Sequence, residues 1–215
     1  MGEIHRLTEN EQEFLKHKRK QLLYQRGENI FKQGAFASYV TYIQTGLVKV
    51  YLDVLPNKIM NVSIAKPGDF LAFGAVFGED VYSYSAVAVK DTEICMIDKD
   101  GLRELLYKNN EFAMRITSNN YRIEHQHLNL IASLSYKQMR GKLASALLYL
   151  SSDDLLEEDI FKYLTRQEIA GFAAISNESG IKFLKEFEKE GILKLKNKDI
   201  EILDRARLSE ISRIG

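Results

Sequence analysis

The spacing of hydrophobic and polar residues divides the chain into three parts. Residues 1 to about 20 are mostly polar and charged and predict a leader helix, in which Phe14 and Leu15 are the main apolar side chains. Residues 22–97 contain short runs rich in Val, Ile, Tyr and Phe, separated by glycine-containing turns, which is typical of an all-β barrel or sandwich. Beyond Gly101 the spacing becomes helical. The pattern therefore predicts an α+β chain whose β domain precedes a helical part.

One strand of the β domain is recognisable from its alternation. Between Val48 and Asp53, apolar residues alternate with Lys49, Tyr51 and Asp53 itself. Because successive side chains of a strand point to opposite faces, the alternation predicts one apolar face that is turned inward. Pro56-Asn57 then predicts the hairpin turn that follows the strand.

The first long helix carries apolar residues at a seven-residue spacing. Arg115, Arg122 and Glu124 flank this seam without entering it. Such a seam can pair with a copy of itself, and two polar positions within it can fix the register. We therefore expect a homodimer held by this helix, with packing of the helix on its own β domain as the alternative. The predicted seam consists of Ile116, Asn120, Ile123, His127, Leu130 and Leu134. Gly141, just past the helix, is a predicted hinge.

The C-terminal part has the signals of a winged helix-turn-helix. Thr165 and Glu168 fit a capping box, which predicts a helix start. After a short turn, Ser176 can cap a second helix over residues 177–190, which Gly191 ends. Two short apolar runs around a basic turn at residues 196–199 then predict the wing. Such a module places its second helix in the major groove of DNA.

The second helix and its surroundings supply candidate DNA contacts. Asn177, Glu178 and Lys182 have the side chains that recognise adenine, cytosine and guanine, respectively, and are the predicted base contacts. Contacts to phosphates set register and affinity without sequence information. The predicted backbone contacts are Thr165, Arg166, Gln167, Ser176, Ser179, Lys185, Lys196 and Lys198.

Charge alone does not support DNA binding. The 215 residues include 30 basic and 30 acidic side chains, so any electrostatic argument must be local. From Met139 onward there are 13 basic and 14 acidic residues, which lacks the basic excess usual in DNA-binding domains. An ordinary pair of capped helices is therefore the alternative. The order of capping box, turn, second cap, apolar face and basic hairpin nevertheless favours DNA binding.

Composition excludes several other classes of protein. The only cysteine, Cys95, rules out an internal disulfide, a cysteine-ligated cluster and a zinc finger. The four histidines lie outside residues 22–97, so the strands lack the ligands of a metal-binding cupin enzyme. We expect no enzyme, metal or cofactor. Apolar runs are too short to cross a membrane, and the start lacks a signal-peptide core, so we expect a cytoplasmic protein.

With these features the chain resembles the Crp/Fnr family of bacterial transcription regulators. The resemblance rests on residues 27–34, 42–50 and 67–71 in the β domain and on residues 164–170 and 200–204 in the last domain. It implies a jelly-roll (double-stranded β-helix) effector domain of the cyclic-nucleotide-binding type over residues 1–110. A dimerisation helix over 111–138 and a winged helix-turn-helix over 139–215 would follow. The implied partners are a palindromic DNA duplex, a second copy of the chain and RNA polymerase.

The effector region departs from the family members that bind cyclic AMP. Those members hold the ribose with a glutamate and the phosphate with an arginine-serine pair. Here Phe73 and Tyr84 stand at the glutamate and arginine positions, and only Ser85 is kept. Control by cyclic AMP is therefore not expected. The remaining aromatic residues would either line a pocket for a flatter, more apolar effector or fill the core without any effector. The predicted pocket consists of Phe70, Phe73, Gly74, Ala75, Tyr84, Ser85, Asn120 and Tyr121.

The recognition helix also departs from those members. Asn177, Glu178 and Lys182 stand where they have arginine, glutamate and arginine, so a cytosine contact is kept while the flanking preferences change. Ala174 occupies the usual turn glycine. Gly180 occupies a usually apolar core position, where it is expected to weaken both helix and packing. The alternative function is a ligand-binding module that regulates a partner protein without touching DNA.

Overall fold

The computed structural model describes residues 7–55 and 58–215, and these fall into two compact units. The first contains residues 7–55 and 63–125, and the second contains residues 58–62 and 126–215. A long helix runs through the point in the chain where the first unit ends. Within the described ranges, no helix combines the length and the apolar character needed to cross a lipid bilayer.

A short helix and two four-stranded sheets come first in the chain, and all of their residues except 58–62 belong to the first unit. The helix α1 (Glu9–Lys16) ends earlier than the predicted leader helix, because the chain enters a strand at Arg19. The sheets have the strand orders β1-β8-β3-β6 and β2-β7-β4-β5, which confirms the predicted β domain. The strands are β1 (Arg19–Tyr24), β2 (Asn29–Phe31), β3 (Tyr39–Thr45), β4 (Val48–Leu55), β5 (Lys58–Ala65), β6 (Phe70–Leu71), β7 (Ser85–Ala88) and β8 (Thr92–Asp98).

Strand β4 has the predicted inward apolar face, and over its first half the other face is buried as well. Val48 and Val50 lie opposite Ala88 and Ala86 of β7 and form the apolar face. Tyr51, on the other face, is 5% exposed because the Lys32 ammonium group donates to its hydroxyl, which in turn donates to Asn29 Oδ1. Lys49, on the same face as Tyr51, is also buried. The predicted turn Pro56-Asn57 lies outside the described residues.

Two helices follow the sheets. Helix α2 (Lys99–Lys108) is capped by Asp98, and α3 (Asn110–Tyr136) is the predicted long helix. Ile116 of α3 is 1% exposed and therefore belongs to the core of the chain itself. Its predicted place in a dimer seam is wrong, since a side chain without exposed surface cannot contact a second copy. The other five residues of the predicted seam are half-buried.

The second unit is mainly helical and ends in a hairpin and one more helix. Its elements are α4 (Met139–Leu150), α5 (Asp153–Leu156), a 3₁₀ helix (Ile160–Lys162), α6 (Arg166–Phe172), α7 (Asn177–Lys189), β9 (Leu193–Lys196), β10 (Asp199–Ile202) and α8 (Arg205–Ile214). Helix α8 was not predicted from the sequence; Asp204 caps it by accepting a hydrogen bond from Arg207 N. Leu143, Phe187 and Leu208 are buried in the core of this unit.

Gly141 is not a hinge. It lies inside the first turns of α4, and the irregular residues between α3 and α4 are Lys137 and Gln138. A β-carbon at Gly141 would lie 2.7 Å from the carbonyl carbon of Gly215. The glycine therefore permits a close approach of α4 to the end of α8, which is a packing role rather than a source of flexibility.

Candidate nucleic-acid interface and effector region

Helix α6 starts at the predicted capping box. Glu168 N donates to Thr165 Oγ1 at 3.1 Å, and Thr165 N donates to Glu168 Oε2 at 2.9 Å, which confirms the box. Ile169 and Phe172 of this helix are buried. Because its start is fixed by two reciprocal hydrogen bonds and one side is buried, α6 is a rigid support for the following helix.

The turn into α7 is tight and carries backbone strain. Ala174 has a φ of 50°, a left-handed conformation that favours glycine. Ser176 then caps α7 by accepting from Ser179 N at 3.2 Å. A β-carbon at Gly180 would lie 2.7 Å from the β-carbon of Ala170, so Gly180 lets α7 cross α6 closely. The expectation that Gly180 weakens the packing is therefore wrong.

The face of α7 opposite its core is polar and exposed. Glu178, Lys182 and Lys185 are all exposed, whereas Leu184 and Phe187 are buried. Lys182 Nζ lies 4.0 Å from a Glu186 oxygen, with 70% of the lysine side chain exposed, so this pair holds Lys182 only weakly. Hydrogen bonds from the Glu178 backbone and from Ser176 lower the pKa of the Glu178 carboxyl, which keeps it an anionic acceptor.

Two residues of α7 differ from the sequence expectations. Asn177 Oδ1 is buried and makes no hydrogen bond, so a bidentate contact with adenine requires the side chain to rotate. Ile181 is 36% exposed at the edge of the polar face. Ile181 was not among the predicted contacts, although it lies three residues after Glu178 and four before Lys185 and therefore shares their exposed face. An exposed isoleucine here suits a thymine methyl group.

The wing is a two-residue hairpin, as the basic turn predicted. Asn197 has a φ of 52°, and Lys196 pairs with Asp199 across the turn. Lys196 Nζ lies 2.6 Å from Glu201 Oε2, and this contact lowers the pKa of the Glu201 carboxyl. Lys196 is therefore partly neutralised, and Lys198 at the tip is the more available cation of the predicted pair.

Arg166 supports the wing from α6 instead of facing a duplex. Its Nη2 donates to Asn197 O at 2.9 Å and to Asp199 O at 3.1 Å. Its Nη1 is buried and makes no hydrogen bond. Burial lowers the pKa of the guanidinium group. The predicted phosphate contact would require this side chain to leave the wing, so the structure contradicts that role for Arg166 in this conformation. Thr165, Gln167 and Ser176 are exposed, and Ser179 is half-buried.

In the effector region, the aromatic side chains contact one another. The rings of Phe31 and Tyr82 stack at 4.1 Å between centroids, and Phe70 contacts Phe73 at 6.3 Å. The Tyr84 hydroxyl accepts a hydrogen bond from Ala72 N at 2.6 Å. Burial raises the pKa of this hydroxyl to about 12. These contacts favour core packing for Phe31, Phe70 and Tyr82, which are buried, whereas Phe73 is half-buried and Phe77 is 79% exposed.

Ser85 does not present a free hydroxyl to an effector. It lies opposite Tyr51, on the face of the sheet away from Val50 and Ala86. Its Oγ donates to Asp53 Oδ2 at 3.0 Å and accepts from Gln33 N at 2.9 Å. A phosphate diester at this position would therefore face the Asp53 carboxylate, which contradicts the predicted place of Ser85 in the pocket.

The remaining predicted pocket residues range from buried to largely exposed. Ala75 is buried, and the Glu79 carboxylate lies against Gly74, where any β-carbon would collide with it. Asn120 is half-buried, whereas Tyr121 is 67% exposed. Among residues 7–55 and 58–215, no three His, Cys, Asp or Glu side chains are placed to share a metal ion.

Two family models match the chain in succession. The cyclic nucleotide-binding domain matches residues 21–109, and the Crp-like helix-turn-helix domain matches residues 141–211. Together they cover more than half of the chain. The chain belongs to the Crp/Fnr family. Members of this family are transcription regulators, and this chain is a DNA-binding transcription regulator.

Named relatives of the chain lie within the same family. The cyclic AMP receptor protein of Thermus thermophilus is 26% identical over 196 residues, which cover 88% of this chain and 87% of the relative. The fumarate and nitrate reduction regulatory protein of Vibrio cholerae is 27% identical over 198 residues, covering 89% and 78%. The structure of FixK2 from Bradyrhizobium japonicum superposes with a TM-score of 0.75 at 18% identity, over 92% of this chain and 98% of that one. This last similarity supports the fold.

Proposed function

We propose that the protein acts as a homodimer on a palindromic DNA site, with α7 of each copy in a major groove and without control by cyclic AMP. The observation that carries this proposal is the exposed polar face of α7, opposite the buried Leu184 and Phe187. A helix supported in this way presents Glu178, Lys182 and Lys185 to a groove without rearrangement of its backbone. We assign the effector domain to residues 1–110, the dimerisation helix to 111–138 and the DNA-binding domain to 139–215.

Base recognition is assigned to four residues of α7. The Glu178 carboxylate accepts from cytosine N4, and Lys182 donates to guanine. Ile181 contacts a thymine methyl, and Asn177 contributes once its side chain turns outward. Gln167, Ser179, Lys185 and Lys198 contact phosphates and so give affinity without sequence information. The even balance of charge in this domain predicts weak binding to random DNA, so most of the affinity depends on base contacts.

The dimer is assigned to α3. Met114, Tyr121 and Leu128 recur every seven residues and are 68%, 67% and 58% exposed, and Ile131 extends the stripe at 59%. This stripe lies roughly 120° round the helix axis from the centre of the seam predicted from the sequence. An apolar stripe at heptad spacing supports pairing of two parallel helices. Of the half-buried residues of the predicted seam, His127 and Leu134 lie beside Ile131 and border this contact, whereas Ile123 and Leu130 lie on the opposite side of the helix.

Cyclic AMP is an unsuitable effector because the groups that would bind it are already occupied. The Tyr84 hydroxyl is held by Ala72 N, and the Ser85 hydroxyl is held by Asp53. Phe73 offers the ribose hydroxyls no hydrogen bond. If an effector exists, it is flatter and less charged than a cyclic nucleotide. RNA polymerase is the further partner of a regulator of this kind, and a bacterial regulator that binds chromosomal DNA works in the cytoplasm.

Selection of duplexes from random DNA by the purified protein tests the proposal directly. We expect a palindromic consensus with a G·C pair in each half-site, and the same consensus and affinity with millimolar cyclic AMP present. An asymmetric consensus, or tighter binding with cyclic AMP, would contradict the proposal. Recovery of no consensus would instead favour the ligand-binding module that acts through a partner protein.

Sedimentation equilibrium tests the dimer separately. We expect the wild-type chain to be a dimer and Leu128→Glu to be a monomer, because a charge in the stripe must be desolvated on pairing. Leu156→Glu is the matched control, since Leu156 is 63% exposed but lies on α5. Dimers of both variants would show that α3 does not hold the copies together through this stripe.

A further inference from the structure

An ion pair joins the start of α4 to the end of the recognition helix. Arg140, in the first turn of α4, donates from Nη2 to both carboxylate oxygens of Glu190, at 2.6 and 2.7 Å. Glu190 is the residue that caps the C-terminus of α7. The Arg140 guanidinium carbon also lies 5.1 Å from the centre of the Phe187 ring. One side chain of α4 therefore contacts both the last carboxylate of α7 and the buried face of that helix.

Both charges stand at the helix end that disfavours them. A cation is unfavourable in the first turn of a helix and an anion is unfavourable at its C-terminus, because of the helix dipole. Arg140 is in the first turn of α4, and Glu190 caps α7 at its C-terminus. Local helix stability therefore does not explain either residue. What the two charges provide is the connection between α4 and α7.

The segment that carries Arg140 is itself fixed on its other side. Lys137, between α3 and α4, donates to Ser145 Oγ at 2.7 Å and to Ser212 Oγ at 3.0 Å. Ser145 Oγ donates to Gly141 O at 2.9 Å, so the contact of 2.7 Å between the two serines has Ser212 as its donor. Three elements, the α3–α4 junction, α4 and α8, are thus joined at one point, which gives Arg140 a fixed base.

We propose that Arg140 and Glu190 are a positioning pair that sets the angle at which α7 enters the major groove, without contacting DNA. The inference rests on the proposed groove binding. Glu190 is about 20 Å along the helix from Asn177. Because α7 is a single helix, a tilt that shifts its C-terminal end also shifts the N-terminal end that contacts the bases. Release of the pair is expected to disturb base contacts, which need exact geometry, more than phosphate contacts.

The test compares binding of Glu190→Gln, Arg140→Met and the charge-swapped Arg140→Glu/Glu190→Arg with wild type. Each protein is titrated with the selected duplex and with a random duplex of equal length, over a range of salt. Glu210→Gln on α8 is the control, because it removes the same charge from an exposed position. Melting temperatures are measured in parallel.

We expect Glu190→Gln and Arg140→Met to weaken binding to the selected duplex about tenfold and to leave the random duplex and the salt slope unchanged. The charge-swapped protein should regain most of the affinity and melt at a higher temperature, because each charge then stands at its favoured helix end. Glu210→Gln should behave as wild type or bind both duplexes slightly better.

Three results would overturn the positioning pair while the wild type still selects its duplex. In the first, Glu190→Gln binds both duplexes more tightly, as Glu210→Gln can, through loss of a repelling charge. In the second, Arg140→Met weakens both duplexes and lowers the salt slope by about one, which identifies a phosphate contact. In the third, the loss of affinity follows the loss of folded protein and the charge swap fails to rescue it. A wild type that selects no duplex contradicts the proposed function, and the pair with it.

Discussion

The effector region and the recognition helix use their polar groups in opposite ways. In the effector region, the hydroxyls of Tyr84 and Ser85 are hydrogen-bonded to Ala72 N and Asp53 within the chain. On α7, Lys182 and Lys185 extend into solvent. The exposed face of α7 can therefore contact a partner directly, whereas an effector could use the Tyr84 and Ser85 hydroxyls only after their internal hydrogen bonds break. Any effector must therefore compensate for the bonds that it displaces.

Gly180→Val has the largest expected effect on this contrast, because it should destabilise the packing of α7 on α6 and leave the effector region unchanged. A β-carbon at this position meets the β-carbon of Ala170, and a backbone-anchored atom cannot move aside. We expect a loss of about 3 kcal/mol in unfolding free energy. Hydrogen exchange should accelerate in residues 139–215 and stay unchanged in residues 19–125. Ile181→Val on the same helix is the control, and equal exchange in both variants would contradict the packing role of Gly180.

Lys182→Ala tests whether an exposed cation of α7 recognises a base, because it removes that cation alone. We expect binding to the selected duplex to weaken by about 1–3 kcal/mol, with little change on random DNA, because Lys182 is assigned to a base. Lys198→Ala should instead weaken all duplexes similarly and lower the salt slope, because Lys198 is assigned to a phosphate. If Lys182→Ala lost the same affinity for both duplexes, Lys182 would not recognise a base. Fluorescence anisotropy titrations at several salt concentrations measure both effects.

Ala174→Gly tests whether the turn of the recognition module is strained. The left-handed φ of 50° is unfavourable for alanine and neutral for glycine, which gives about 1 kcal/mol of strain after the entropy of glycine is subtracted. We expect a higher melting temperature and unchanged DNA affinity, since Ala174 lies before the reading helix. A lower melting temperature would show that the turn is held without strain.

Sequence signals that act over a few residues predicted the recognition module well. The capping box spans four residues, and the wing turn is set by adjacent residues, so both are visible in the sequence. The hydrogen-bond partners of Arg166 and Ser85 were not predictable from local sequence. Asp199 lies 33 positions from Arg166 in the chain, and Asp53 lies 32 positions from Ser85. Gly141 and Gly180 were misjudged for a related reason, since a glycine that permits close packing looks the same in sequence as a flexible one.

Asp69→Asn has the smallest expected effect and tests how the effector region accommodates a buried carboxylate. Asp69 is 7% exposed, and its oxygens accept from Lys66 N at 2.9 Å and from Asn119 of α3 at 3.4 Å. Burial raises the pKa of this carboxyl above 3.8, against the opposing effects of these two hydrogen bonds and of the charges on Arg122 and Lys66. The folded protein therefore holds this proton more tightly than the unfolded chain does.

It follows that the contribution of Asp69 to stability is greatest below pH 3.8 and is lost as the pH rises through the raised pKa. Asparagine keeps the acceptor for Lys66 N and has no proton to lose. The difference in unfolding free energy between Asp69→Asn and wild type should therefore move in favour of the variant as the pH rises from 3 to 7. Urea unfolding of both proteins across this range measures the difference. A difference that is constant with pH would show that Asp69 ionises as freely in the fold as in water, and that this part of the effector region is open to solvent.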